Sequence, residues 1–280
     1  MVMSLLKPDT CSLELLEAVI AERQGGVNAA FFNDIADEWY DRVAGYAEHA
    51  GSPDLVPRWP QIEPRKNSFL NLYGSARDGS VQKMVIARMR DEHDLMYCPA
   101  CGEPGRPNTL DHYLPKGRYP HFCITPLNLF PMCDACQKHK GEKTGDANSP
   151  RFFIHPYYDV FIAQQVIGLR MEPPYDAPGF SLSSRENLTD EQRRLVDSHV
   201  RELAIEQRYI YFFRGQHRRL LRIVKGLRDG GQDVRTNLTA FKDGVESSGA
   251  NVWDRVFYVA VLEDEGMMDY LEHAQFPPYL

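Results

Sequence analysis

The amino-acid sequence predicts a mostly helical α+β chain with a short, cysteine-bounded segment in its middle. Apolar residues recur at three- and four-residue spacing on both sides of that segment, two Cys-x-x-Cys pairs bound it, and the stretch Val160–Met171 has the apolar content of a strand. The 280 residues are 43% hydrophobic and 25% charged, which suits one large domain or two ordinary ones. With 14 Tyr and 14 Phe, the composition excludes disordered and fibrous chains.

Residues 1–97 are predicted to form an N-terminal helical region. Thr10 or Ser12 can cap a first helix and Asn28 a second, because their side-chain oxygens accept from the free N–H groups of a first helical turn. Apolar residues of the second helix recur on one face, as in a core stripe: Ala29, Phe32, Ile35, Ala36, Trp39, Tyr40, Val43 and Tyr46. The stretch Gly51–Pro64 carries four prolines and is predicted to be a loop or linker.

Residues 161–280 are predicted to form a mainly helical C-terminal region, with long helices from the cap residue Thr189 onward. Between residues 208 and 228 the chain has seven basic and no acidic side chains. Four of them follow one another at four- and three-residue steps: Arg214, Arg218, Arg222 and Lys225. This stripe fits either a solvated face paired with acids from elsewhere or contacts to the phosphates of nucleic acid. The net charge of −7 argues against nucleic acid, but one concentrated basic segment remains compatible with it.

Four of the six cysteines form two pairs, Cys98–Cys101 and Cys133–Cys136, separated by 31 residues. A two-residue gap lets both thiolates of a turn face one ion, so two such pairs supply the four ligands of a closed structural Zn²⁺ site. Disulfides are disfavoured because no signal peptide is apparent, and we expect a cytoplasmic protein without a membrane-spanning segment. Cys11 and Cys123 stand alone and are predicted to be small buried side chains.

The segment between the cysteine pairs carries side chains suited to phosphodiester hydrolysis. That reaction needs a base to activate water and a cation to neutralise charge on the phosphate and the leaving oxygen. An imidazole ordinarily titrates near neutral pH, so His112 suits the base, while Asp111 beside it offers a hard oxygen ligand for a divalent ion. Adjacent side chains of a strand point to opposite faces, so both serve one site only if the strand ends or bends there, which Pro115 favours. Asn128 can fix a β-hairpin through its amide.

With these residues and the two cysteine pairs, residues 98–160 resemble the HNH endonucleases, in particular those whose ββα-metal motif is braced by two Cys-x-x-Cys pairs. The resemblance covers under a quarter of the chain. It implies a small zinc-braced ββα-metal module at residues 98–160, in which His112 activates water, Asp111 binds Mg²⁺ or Mn²⁺, and Asn128 orients His112. The helix after Cys136 would carry the last metal ligand.

The sequence departs from the HNH pattern at that last ligand. Family members usually have His or Asn directly after the final cysteine and Lys three residues later, whereas here Gln137 and Lys140 occupy these places. A glutamine carbonyl can bind the ion, but its extra methylene moves the oxygen and costs rotamer entropy. His139 is an alternative ligand, although it lies about 200° around a helix from Gln137, and a degenerate site is the third outcome. Lys116 and Lys140 are either solvated surface lysines or phosphate contacts.

The stretch Ile154–Asp159 resembles a His-Pro-Tyr-x-Asp block that follows the motif in similar bacterial HNH proteins. Its function is not indicated by the resemblance. His155 either assists the site or is a structural histidine held in a turn by Pro156.

Together these features predict a metal-dependent HNH endonuclease that hydrolyses phosphodiester bonds in nucleic acid, with DNA as the expected substrate. The alternative is a non-catalytic, zinc-clipped module that binds nucleic acid or protein and has lost metal chemistry at Gln137. Similar stand-alone HNH proteins often act as effectors beside ATPases in bacterial anti-phage or restriction systems, so the resemblance also implies an ATPase or other defence-system subunit as partner. Cleavage of both strands with one active site per chain favours a homodimer.

Overall fold

The computed structural model describes residues 3–245, 249–278 and 280. About 52% of the chain is helical, and its named strands form two small two-stranded sheets. The prediction of a mixed, mostly helical α+β chain is therefore confirmed. None of the helices in the described ranges is both long and apolar enough to span a membrane.

The chain divides into two compact units, each built from separate pieces of sequence. The motif unit consists of Leu5–Leu95 and Arg106–Asp159, and the C-terminal unit consists of Met96–Gly105 and Val160–Leu280 with the amino-terminal segment that ends at Ser4. The predicted regions 1–97, 98–160 and 161–280 are consecutive pieces. The change of unit at Val160 lies next to the last predicted boundary, whereas residues 96–105 belong to the C-terminal unit.

The motif unit begins with α-helices that precede the central segment. They are α1 (Ser12–Glu22), α2 (Ala29–Asp34), α3 (Ala36–Glu48), α4 (Lys66–Gly74) and α5 (Val81–Asp91). The N-cap of α1 is Cys11, without a side-chain cap bond, so the predicted caps Thr10 and Ser12 are wrong. The prediction that Cys11 is buried is also wrong, because this cap position is exposed.

The predicted core stripe is buried at four of its eight positions and half-buried at the other four, and two helices share it. The helix expected from Asn28 onward is interrupted at Ile35, whose φ/ψ of −101°/0° ends α2 before α3 begins. Phe32, Trp39, Val43 and Tyr46 are all buried. Phe69 of α4 closes this core edge-on, with its ring centroid 5.6 Å from that of Phe32 and 4.9 Å from that of Trp39. The proline-rich loop ends in a 3₁₀ helix, Pro60–Arg65.

The central segment folds as two short strands and a helix. β1 (Thr109–His112) pairs antiparallel with β2 (Leu129–Met132), so that Asp111 lies opposite Phe130 and His112 opposite Leu129. The 3₁₀ helices Pro120–Phe122 and Pro126–Asn128 lie between the strands, and α6 (Asp134–Lys140) follows β2. Both strands and α6 belong to the motif unit, where they bring Asp111 close to the face of α6 that carries Gln137 and Lys140.

The C-terminal unit combines a hairpin with a set of longer helices. Its elements are β3 (Ile167–Glu172), β4 (Gly179–Ser184), α7 (Asp190–Glu202), α8 (Ile205–Asp229), α9 (Val234–Gly244), α10 (Trp253–Glu263) and α11 (Glu265–His273). The strand predicted from Val160 begins only at Ile167, because Val160–Ala163 forms a 3₁₀ turn. Thr189 caps α7 as predicted, in a reciprocal capping box with Gln192.

Aromatic side chains of α8 and α10 form the core of the C-terminal unit. Tyr209 packs edge-on against Trp253, with ring centroids 5.1 Å apart, and the Phe213 and Phe257 centroids are also 5.1 Å apart. All four residues are at most 1% exposed. Burial of large aromatic surfaces fixes which face of α8 points inward and leaves the opposite face to solvent.

Candidate functional site

The four paired cysteines form a compact sulfur cluster. Their Sγ atoms all lie within 4.8 Å of one another. Sulfurs bound to zinc at about 2.3 Å in a tetrahedron are about 3.8 Å apart, so small movements would close this cluster on one ion. The cluster can therefore hold a structural metal such as zinc, as the spacing of Cys98, Cys101, Cys133 and Cys136 predicted.

Local backbone geometry presents the cysteines of each pair together. The N–H groups of Cys101 and Gly102 donate to the Cys98 carbonyl at 3.2 and 2.7 Å, and Gly102 adopts a φ of +71° that a side chain would disfavour. Cys133 is the N-cap of α6 and Cys136 lies in its first turn, with the Gln137 N–H bonded to the Cys133 carbonyl at 3.0 Å. One pair thus uses a turn and the other uses the start of a helix.

Two residues of the C-terminal unit brace the turn that carries Cys101. The indole Nε1 of Trp253 donates to the Cys101 carbonyl at 2.5 Å. The guanidinium of Arg208 donates to Cys101 Sγ at 3.7 Å and also pairs with Glu103. A nearby guanidinium stabilises a thiolate. Sequence analysis missed both braces, because contacts over more than a hundred residues leave no spacing signal.

His112, the predicted base, is buried at the end of β1. It is 5% exposed, its Nε2 lies 2.9 Å from the Cys123 carbonyl, and its ring packs edge-on to Tyr73 at 4.5 Å. Burial lowers the pKa of His112 to about 4; Lys116 and Lys140 act in the same direction, while Asp111 opposes them. A carbonyl only accepts, so the neutral ring carries its proton on Nε2 and keeps the lone pair on Nδ1. That lone pair is what a general base requires.

Asp111 is held by two residues of α6. Its Oδ2 lies 3.0 Å from Lys140 Nζ, and its Oδ1 accepts from Gln137 Nε2 at 3.3 Å. Lys140 also donates to the His112 carbonyl at 2.6 Å and is only 2% exposed. Lys140 therefore has surroundings unlike those of the predicted surface lysine or phosphate contact: it is an internal counter-ion between the two site residues. Lys116 is exposed, with its ammonium 4.6 Å from the centroid of the Tyr73 ring.

The donor set at Asp111 fits a divalent ion that keeps part of its hydration shell. Asp111 Oδ2 is a buried oxygen without a hydrogen bond from any described residue, although it is ion-paired with Lys140. A half-turn of the Gln137 amide would present Oε1 to an ion instead of Nε2, because the amide carbon carries both an acceptor oxygen and a donor nitrogen. His139 is exposed, so it does not share this position. Mg²⁺ is commonly held by one or two carboxylates, water and substrate phosphates, so this set suits it.

Asn128 is fully buried and fixes the chain where it leaves β1. Its Oδ1 accepts from the Leu114 N–H at 2.7 Å and from the Tyr46 hydroxyl at 3.1 Å. Its Nδ2 donates to the carbonyls of Leu114 and Phe122, both at 3.1 Å. The Asn128 amide therefore fixes the hairpin backbone, as predicted, by bonding Leu114, two residues after His112. Among the described contacts it makes no direct hydrogen bond to the His112 imidazole.

The other predicted residues are divided between the two units. The C-terminal unit contains the basic stripe of α8, whose members are all exposed: Arg214, Arg218, Arg222 and Lys225. The motif unit contains Cys123 and His155. Cys123 is buried as predicted; its Sγ donates to the Phe69 carbonyl at 3.0 Å, and burial raises its pKa to about 12. His155 is fully buried, with Nε2 at 3.0 Å from the Tyr46 hydroxyl. Sequence analysis had assigned Tyr46 only to the core.

Comparison with known proteins adds one partial relative. Protein ea31 of Escherichia phage lambda is 30% identical over 115 residues, which make up 40% of this chain and 39% of that protein. The chain thus spans about two-fifths of the length of the curated relative it matches. No family model and no solved structure match the chain. The resemblance to HNH endonucleases stays a prediction from the motif.

Proposed function

We propose that the chain is a metal-dependent HNH-type endonuclease that hydrolyses phosphodiester bonds in nucleic acid, with DNA as its substrate. One observation carries the proposal: β1 and α6 bring the Asp111 carboxylate, the Gln137 amide and the Lys140 ammonium together, and Lys140 also bonds the main-chain carbonyl of His112, the next residue of β1. A carboxylate and an amide in contact, with a neutral imidazole on the adjacent residue, offer the ligands and the base that hydrolysis requires.

His112 is the proposed general base. Its Nε2–H bond to the Cys123 carbonyl fixes the tautomer and leaves Nδ1 to take a proton from water. The Asp111 carboxylate next to it favours the imidazolium that forms, and its effect on the His112 pKa has the corresponding sign. Asn128 stabilises the loop that begins directly after His112.

Asp111 and Gln137 are the proposed protein ligands of a catalytic Mg²⁺ or Mn²⁺. Such an ion neutralises charge on the phosphate and on the leaving oxygen. Lys116 is exposed beside Tyr73 and remains a proposed phosphate contact. The cysteine cluster is the proposed structural Zn²⁺ site, which would hold the start of α6 in place.

Cleavage of supercoiled plasmid by the purified chain tests this proposal. We expect nicking with Mg²⁺ or Mn²⁺, loss of nicking in His112→Ala, and unchanged nicking in His139→Ala, an exposed histidine of α6 that serves as the matched control. Zinc content should be equal in all three proteins. Undiminished cleavage by His112→Ala would overturn the assignment of the base.

A second candidate is a non-catalytic module that binds nucleic acid or protein. Two contacts favour it, because both occupy the carboxylate oxygens that an ion would need. The Lys140 ammonium already neutralises Asp111, and Gln137 presents its amide nitrogen to the same carboxylate. This candidate predicts DNA binding without cleavage under Mg²⁺, Mn²⁺, Ni²⁺ and Zn²⁺. Gln137→Asn, which restores the commoner residue, separates the two cases: cleavage gained in this variant means a site disabled at Gln137, and continued inactivity favours the binding module.

We further propose that the nuclease acts in the cytoplasm as the effector of a bacterial defence or restriction system, beside an ATPase or similar subunit. This step rests on the HNH resemblance alone. Phage plating on cells that carry the wild-type gene with its genomic neighbours, or the same genes with His112→Ala, measures it. Protection that disappears with the substitution supports the role, and equal plating contradicts it. Light scattering of the purified chain tests the proposed homodimer.

A further inference from the structure

The exposed face of α8 combines basic side chains with one aromatic ring. At about 100° per residue, Tyr211, Arg214, Arg218, Arg222 and Lys225 lie within an arc of about 80° on the helix. Tyr211 is 82% exposed, and the four basic residues are exposed as well. The apolar side chains of α8, such as Phe213 and Leu220, are buried on the opposite side. The five residues of this arc form a continuous strip on the helix surface, here called the α8 strip.

The arginines of the α8 strip have no ion-pair partner among the described residues. Other arginines of the same unit are paired: Arg185 with Glu263, Arg208 with Glu103, and Arg235 with Glu265. Lys225 donates to the Leu280 carbonyl at 3.2 Å. Within the described ranges, no acidic side chain pairs with Arg214, Arg218 or Arg222, so the alternative of a solvated face paired with acids from elsewhere does not hold for them. Their charges are available to an anionic ligand.

The chemistry of the strip favours a single strand over a duplex. Successive arginines stand four residues apart, a rise of about 6 Å per step, so they form a linear array of cations. Nonspecific single-strand binding sites combine such a basic track with aromatic rings on which unpaired bases stack. A duplex satisfies the arginines but offers no open base face to Tyr211.

We propose that the α8 strip binds single-stranded nucleic acid, with Arg214, Arg218 and Arg222 on phosphates and Tyr211 stacked on an unpaired base. This inference deepens the proposed function, because it names the form of nucleic acid that the chain takes. It rests on that function only for the cleavage of the bound strand, and the binding itself needs no nuclease activity.

Fluorescence anisotropy of labelled oligothymidylate and of a duplex of the same length tests the inference. The protein is the full, zinc-loaded chain carrying His112→Ala, so that no cleavage interferes. We expect tighter binding of the single strand, a loss of about tenfold with Tyr211→Ala, and retention with Tyr211→Phe, which keeps the ring. Arg218→Ala should reduce the slope of log affinity against log salt by about 0.7. Arg170→Ala, an exposed arginine of β3, is the control and should change neither quantity.

Equal affinity for both forms, or no effect of Tyr211→Ala, overturns the inference. The plasmid assay reports separately on the proposed function. Plasmid cleavage without preference for single strands in the binding assay refutes only the α8 strip, whereas single-strand binding without cleavage refutes only the nuclease.

A second, independent set of hydrogen bonds links His155 of the His-Pro-Tyr-x-Asp block to Asn128 through Tyr46. His155 Nδ1 accepts from the Tyr157 N–H at 3.3 Å, so the neutral ring carries its proton on Nε2. That proton points to the Tyr46 hydroxyl at 3.0 Å, and the hydroxyl in turn donates to Asn128 Oδ1 at 3.1 Å. Every donor in this chain of bonds has an acceptor, and the chain ends on the amide that holds the Leu114 N–H.

The block is itself anchored at both ends. The His155 N–H donates to Asp159 Oδ2 at 2.6 Å, and Asp159 is paired with Arg151 at 3.0 Å. The Tyr157 hydroxyl donates to the carbonyl of Leu129, the β2 residue opposite His112, at 2.7 Å. The geometry points to Tyr46 and His155 as positioning residues, which orient Asn128 and through it the loop after His112.

Tyr46→Phe tests this assignment with Tyr158→Phe as matched control, since the Tyr158 hydroxyl is buried without a hydrogen bond from any described residue. We expect amide exchange at Leu114 to become about tenfold faster in Tyr46→Phe and to stay unchanged in Tyr158→Phe. In the nuclease assay, which depends on the proposed function, kcat should fall about tenfold with KM unchanged. Equal Leu114 exchange in both variants overturns the assignment whether or not the chain cleaves DNA.

Discussion

Replacing Lys140 by Met is predicted to destabilise the motif unit strongly. The side chains of Lys140 and Asp111 are only 2% and 12% exposed, and their charged atoms are 3.0 Å apart. Removing one partner of a buried ion pair leaves the other charge uncompensated, which costs about 3–5 kcal/mol. The His112 carbonyl loses its 2.6 Å bond from Lys140 at the same time. We therefore expect the free energy of unfolding to fall by about 3–5 kcal/mol.

Urea unfolding monitored by circular dichroism measures this change. Lys138→Met, at the exposed neighbouring lysine of α6, is the control and should shift stability by less than about 0.5 kcal/mol. Adding Asp111→Asn to Lys140→Met should recover part of the loss, because the orphaned charge is then gone. A loss below about 1 kcal/mol in Lys140→Met, comparable to a surface pair, would refute the view that this pair is a buried element of the site.

The same variant reports on the metal site. If Asp111 is a ligand, a divalent ion can replace the missing ammonium, and Mg²⁺ at 100 times its Kd should return about 2.7 kcal/mol to Lys140→Met. The wild-type chain should gain less, because Lys140 competes with the ion for the carboxylate. Equal gains in both proteins would mean that Mg²⁺ does not bind at Asp111.

Three further outcomes are expected. Cys136→Ser should lose the zinc that elemental analysis finds in the wild-type chain, whereas Cys123→Ser should keep it, because Cys136 belongs to the sulfur cluster and Cys123 does not. Burial lowers the pKa of His121 to about 3 and leaves both ring nitrogens without a described partner. Only the unfolded state takes up this proton between about pH 6.5 and 3, so the free energy of unfolding decreases as the pH is lowered through this range. His121→Phe should reduce the slope of the free energy of unfolding against pH by about 1.4 kcal/mol per pH unit in acid titration. Asn251→Ala should cost at least about 2 kcal/mol in urea unfolding, since the amide bonds the Val166 N–H and the Ile162 and Gln164 carbonyls.

The sequence predicted correctly those features that depend only on residues within one turn of each other. The capping box at Thr189 depends on residues three apart, and the cysteine gaps of two residues fix which thiols face together. Four positions of the predicted helical stripe are core as expected: Phe32, Trp39, Val43 and Tyr46. The interruption of the helix at Ile35 was not predicted, because this residue is apolar and without helix-breaking character, and nothing in its neighbourhood in the sequence marks a break.

Residues whose surroundings are set by distant parts of the chain were assigned less well. Lys140 reads as a surface lysine at the end of a helix, yet α6 turns it toward Asp111, 29 residues earlier in the sequence. Tyr46 reads as core, although its hydroxyl bonds two site-linked residues more than 80 positions away. Burial of a polar tip depends on tertiary packing, which periodicity does not report.

Asp111 and His112 are proposed to act on a phosphodiester with the help of a divalent ion. Single-turnover cleavage of a labelled oligonucleotide, measured against Mn²⁺ concentration with zinc-loaded protein, is the decisive experiment for this proposal. We predict saturable dependence on Mn²⁺ in the wild-type chain, a shift to higher Mn²⁺ in Asp111→Asn, and a lower rate at saturating Mn²⁺ in His112→Ala. Absence of cleavage at every Mn²⁺ concentration while the oligonucleotide is bound, or a wild-type rate in His112→Ala, would contradict it.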